Sequence, residues 1–261
     1  MKFRLTAIAV VLATNAAVAA PDSSGSQMYA GGMRSVVSGN IRHDKGKLLE
    51  GRAILERIWF ADSANVLSLY YLSYAEYELV RYGMIDEGSG FFDAYVDAAV
   101  NHTQQVLLAR PDWSEALALM ANIDGIRISR SWIKGATLGP EANRLADHAV
   151  AADSANPRAW LVHGIMKFNT PEFFGGSVET AEQDFRKAIA LFENPSQSEP
   201  LPQSWGYPET FAWLGRTLEK LGHPGEARET YQRALAIEPG FSWVSHVLLP
   251  ALQKKMTDKT Q

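Results

Sequence analysis

Apolar residues recur three and four positions apart along most of this chain, in blocks broken by Gly, Pro, Asn and Ser, which is the spacing of helices buried on one face. The clearest block runs from Pro208 to Pro239. Phe211, Leu214, Gly215, Leu218 and Leu221 share one helical face, and Gly222 offers the left-handed stop that ends it. A second helix follows, with Pro224 in its first turn, Ala227, Tyr231, Ala234, Leu235 and Ile237 as its apolar stripe, and Pro239 after it. Gly215 and Ala227 are small where the two helices must approach.

These two small residues lie 12 apart, and the same interval recurs upstream between Gly39 and Gly51. A second interval of 22 joins Gly51 to Ser73, Ala99 to Ala121 and Ala142 to Gly164. Between them stand insertions of unequal length, at Asp86–Gly90, around Ser131–Gly139, in the NTPEFFGG stretch of Asn169–Gly176, and in the Pro- and Ser-rich run before Tyr207. Recovery of one spacing after unequal insertions marks an array of a repeated unit. The unit resembles the tetratricopeptide repeat, whose pattern is matched by Phe211, Leu214-Gly215, Gly222, Ala227, Tyr231, Ala234 and Pro239.

The array is expected to comprise five divergent repeats, at residues 33–63, 66–111, 114–154, 157–193 and 208–239, stacked as an all-α, right-handed superhelical solenoid of antiparallel helix pairs. Helices this short are unstable alone in water, so the units must cover one another's apolar faces. Asp112 and Glu115 have capping-box spacing at the start of the third repeat, and Gly83 is placed to end the first helix of the second. Residues 240–256 read as a capping helix kinked near Pro250, and 257–261 as a polar tail.

Residues 1–19 have a short basic head, an apolar run and small residues, as in a secretory signal peptide cleaved after Ala19; the run is too short for a membrane anchor. Residues 20–32 read as a flexible lead-in. Together these place the mature chain in the periplasm or outside the cell. Removal of Lys2 and Arg4 takes the net charge from −4 to −6, which gives no reason to expect nucleic acid as a partner, and no stable membrane insertion is expected after signal removal. The chain has no cysteine, which excludes disulfides, thiolate metal sites, a thiol nucleophile and a lipidated cysteine.

Common catalytic motifs are missing, and the six histidines show no ligand spacing, so neither an enzyme nor a cofactor is expected. What remains is a concave groove. By the resemblance, the first helix of each repeat lines it, one, four and five residues after the small residue and three before. This gives Asn40, Tyr70, Tyr74, Tyr77, Asn122, Ile165, Phe168, Asn169 and Arg216 as groove candidates. The tyrosine stripe suits a binding surface, or else packs on the neighbouring insertion. Asn122 and Arg216 carry donors for a peptide backbone or a carboxylate. The resemblance implies a scaffold for a protein or peptide partner. The chain is also similar to the periplasmic T component of TRAP-type transporters, in its divergent helical repeats and in the glycine pair Gly175-Gly176 before a second helix. That similarity implies a small apolar ligand between Ile126, Leu161, Ile165 and Phe168.

Overall fold

A computed structural model of the chain describes residues 23–194 and 205–258. The expected signal peptide lies outside the described residues. Among the described residues, ten α-helices follow in pairs: α1 (Ser23–Arg42) with α2 (Lys45–Ala61), α3 (Val66–Ile85) with α4 (Phe91–Ala109), α5 (Ser114–Ser129) with α6 (Trp132–Ala152), α7 (Pro157–Asn169) with α8 (Val178–Glu193), and α9 (Tyr207–Lys220) with α10 (Pro224–Ile237). A π-helical turn, Trp243–Leu248, runs into α11 (Leu249–Asp258). Each pair packs antiparallel across a short connection, and successive pairs stack into an all-helical solenoid.

Local chemistry sets the helix starts. The carboxylate of Asp44 accepts from the Gly46 and Lys47 amides at 2.8 and 3.2 Å, and the Asn65 side chain accepts from Leu67 and Ser68. Asn156 and Ser177 cap α7 and α8 in the same way. Gly222, at φ 84°, ends α9 in the left-handed region. The recurrent small residues sit where neighbouring helices touch. A side chain at Gly215 would enter the Tyr231 ring, and a Cβ at Gly164 would stand 2.7 Å from Phe185. In the second repeat, Ser73 instead donates from its hydroxyl to the Ala99 carbonyl at 3.1 Å.

Several local expectations change. Residues 23–32 form the first turns of α1 rather than a loose lead-in, because Tyr29 and Met33 are buried and the Tyr29 ring lies 5.5 Å from Tyr71. Gly83 does not end α3; it lies within it, at a point where the backbone of Phe92 leaves no room for a Cβ. The insertion after it is absorbed mainly by lengthening α3 to 20 residues and α4 to 19. Asp112 and Glu115 form no capping box. Asp112 pairs with His148, and Glu115 turns inward to Arg158.

That inward turn anchors the core. Arg158, 1% exposed, directs Nε to both Glu115 oxygens at 2.8 Å, and the Tyr70 hydroxyl donates to the same carboxylate at 2.9 Å. A buried charge pair of this kind costs desolvation, which the added hydrogen bonds offset. Outside the core, His163 bridges Asp184 at 2.6 Å and Asp147 at 3.0 Å, tying α6, α7 and α8 together.

Candidate functional site

The segment leading into α9 and the first turn of α9 reach back to the first two repeats. Trp205, just before α9, is buried; its ring stacks on Tyr74 at 5.0 Å and its indole nitrogen donates to the Tyr70 hydroxyl at 3.2 Å. Asn40, in α1, donates to Glu209 of α9 at 2.8 Å. First and second repeats thus touch the fifth directly, and Trp205 and Glu209 from this junction form part of the wall of a pocket.

Its volume is about 960 Å³. Tyr77 and Arg81 of α3, Asn122 and Ile126 of α5, Leu161, Ile165, Met166 and Asn169 of α7, and Trp205, Glu209 and Trp213 line it. The first part of α6, from Gly135 to Asn143, forms one side, and the loop Thr170–Phe174 forms the lip. Gly175, at φ 88°, reverses that loop, and at Gly176 a Cβ would strike the Thr170 carbonyl, so the glycine pair serves the turn.

Four of the sequence candidates, Tyr77, Asn122, Ile165 and Asn169, meet on the pocket wall. Tyr70 and Tyr74 have no exposed surface and form the layer behind it, because Trp205 covers the tyrosine stripe. Asn40 is spent on Glu209. Phe168 and Arg216 lie beyond the pocket, where the Arg216 guanidinium carbon is 5.0 Å from the Phe168 ring centre. Repeat spacing does not single out Arg81, Trp205, Glu209, Trp213 or the α6 residues. Arg81 stands one turn beyond Tyr77 and is within reach of the pattern; the others depend on how distant repeats meet.

The wall carries uneven charge. Burial pushes the carboxyls of Glu78 and Glu209 above their ordinary range, against the pull of Arg81. Arg81 contacts Glu78 at 3.1 and 3.0 Å, so this end holds two acids for one base. Asn122 is only 5% exposed, and its amide has no hydrogen-bond partner among the described residues. An amide enclosed in this way, facing a cavity, is left for a ligand or water to satisfy. No histidine lines the pocket, and the described residues contain no group of three or more His, Cys, Asp or Glu that could hold a metal.

Residues 208–241 match the tetratricopeptide repeat (TPR) model. The fold as a whole is similar to a thermophilic TPR protein of Thermus thermophilus, with a TM-score of 0.57 and 14% identity over 85% of this chain and 98% of that one. It is also similar to the HusA haemophore of Porphyromonas gingivalis, with a TM-score of 0.58 and 21% identity over 74% of this chain and 94% of that one. No curated protein matches the chain. At these identities the likeness establishes the TPR fold alone.

Proposed function

We propose that this chain is an exported, non-catalytic TPR-type binding protein whose pocket holds a bulky, mainly apolar small ligand. The pocket carries the reading. Its volume of about 960 Å³ lies at the upper end of ligand sites, and its lining is aromatic and aliphatic with few polar groups. Asn122 supplies one unsatisfied amide to orient the ligand. A haemophore among the structures of similar fold is in keeping with a small-molecule ligand. The export reading rests on residues 1–19 of the sequence.

The test is saturable binding of the neutral apolar fluorophore N-phenyl-1-naphthylamine. Wild-type protein should bind it and Ile165→Trp, which fills the pocket from α7, should not. Unsaturable binding, or equal binding by the variant, would refute the reading.

A second reading, a protein or peptide partner, is favoured by one observation. Phe173 and Phe174 are 92% and 73% exposed at the lip, with ring centres 5.2 Å apart. Paired exposed aromatics at a pocket mouth suit a protein contact. A photoreactive residue at position 173 should then capture a discrete protein in exporting cells; loss of that adduct on Phe174→Ser, with probe binding intact, would separate the two roles.

A further inference from the structure

Helix α9 continues past the pocket. Along α9, Glu209, Trp213, Arg216 and Lys220 follow helical spacing, so one stripe leads from the pocket wall to a basic end. There the Arg216 guanidinium carbon lies 4.4 Å from the Trp213 ring centre, 5.0 Å from Phe168 and 5.7 Å from Trp243. Lys220 Nζ is 4.9 Å from the Phe168 ring centre. Neither cation has a hydrogen bond or ion pair among the described residues. Glu219 accepts from the Tyr231 hydroxyl at 2.7 Å and from Lys255 at 2.9 Å and acts on Arg216 only through space.

Three rings around a guanidinium fix its orientation by cation–π contact, and its in-plane N–H donors have no partner among the described residues. Burial lowers the affinity of Arg216 for its proton, so a counter-anion at this place would relieve a desolvated charge. At the opposite end of the pocket the one lining cation, Arg81, is already engaged by Glu78 at 3.1 and 3.0 Å. The cations with no partner among the described residues therefore stand beyond the α9 side of the pocket.

We infer that the ligand is an apolar body bearing one carboxylate, the body seated between Ile126, Leu161, Ile165 and Trp213 and the carboxylate paired with Arg216 and Lys220. The inference rests on the pocket reading above. A guanidinium fork matches the two oxygens of a carboxylate, and Lys220, one turn on, adds a second positive charge from the rim. Asn122, also on the pocket wall, meets a polar group on the body.

The experiment compares cis-parinaric acid with its methyl ester in fluorescence titrations. Wild type should bind the acid at least about tenfold more tightly than the ester, the size of one charge-assisted hydrogen bond. Arg216→Gln and Lys220→Gln should each reduce affinity for the acid and leave the ester unchanged, and Arg216→Lys should recover part of the loss. Lys220 is exposed, so its variant keeps the test valid if Arg216→Gln disturbs the aromatic cluster. Equal binding of acid and ester, or an equal loss of both in the variants, would overturn the headgroup site and leave the pocket standing. Binding of neither molecule would remove the pocket reading itself.

Discussion

Replacing Trp205 with Ala tests the junction between the fifth repeat and the second. The indole is 5% exposed, stacks on Tyr74 at 5.0 Å and donates to Tyr70 at 3.2 Å, with the Arg158 guanidinium carbon 6.0 Å from its ring centre. Deleting a buried aromatic of this size costs ~3–5 kcal/mol through lost transfer energy and the cavity left behind. Trp205→Phe keeps a ring on Tyr74 and loses one donor, so it should cost only ~1 kcal/mol. Urea unfolding followed by circular dichroism gives both numbers. Hydrogen exchange then locates the effect. A repeat array normally couples nearest neighbours only, so damage confined to the fifth repeat is expected if Trp205 merely packs locally. Because it bridges to α3, exchange in Val66–Ile85 should rise together with exchange in α9. A Trp205→Ala stability within ~0.5 kcal/mol of wild type, or unchanged protection of α3, would refute the junction.

Three further outcomes follow from packing and charge. Ala227 is fully buried between α9 and α10, so Ala227→Leu should cost ~1–3 kcal/mol in the same urea assay, whereas an unchanged midpoint would mean that the helices do not meet there. Gly164→Ala should destabilise by a similar ~1–3 kcal/mol, since its Cβ would press on Phe185 at 2.7 Å, while Gly225→Ala, with open space around it, should be neutral or stabilising. Glu78 and Glu209 bind protons more tightly folded than unfolded. Their contribution to stability is fully present below the unfolded carboxylate value of ~4.3 and is lost as pH rises through their raised folded values. Urea midpoints measured upward from pH 4 should fall accordingly, and Glu209→Gln, which keeps an acceptor for Asn40, should flatten the decline.

The repeat architecture was legible because it is local. Two small-residue spacings and a few turn residues, such as Gly222 and Asn156-Pro157, locate the helix pairs, and each pair must bury the faces those spacings define. Part of the pocket wall was legible for the same reason: Asn122 and Ile165 follow the small residues Ala121 and Gly164 directly and line the pocket. Tyr70 and Tyr74 occupy equivalent positions, yet no periodicity says that Trp205, 135 residues beyond Tyr70, will cover them. The Glu115–Arg158 pair, 43 residues apart, was hidden likewise, since Glu115 near a helix start reads locally as a cap. Insertions misled in the other direction. Spacing counts the extra residues after Gly83, and only packing against Phe92 decides that they prolong α3 and α4.

The most direct test of an occupiable pocket is photolabelling with a long-chain carboxylic acid that carries a diazirine in its tail, with the labelled peptides mapped by mass spectrometry. Label should concentrate in α5, α7 and α9, at Ile126, Leu161, Ile165 and Trp213, and fall in Ile165→Trp and Arg216→Gln. Label scattered over exposed apolar residues such as Phe60, Ile85 and Leu108, and indifferent to both substitutions, would contradict the account.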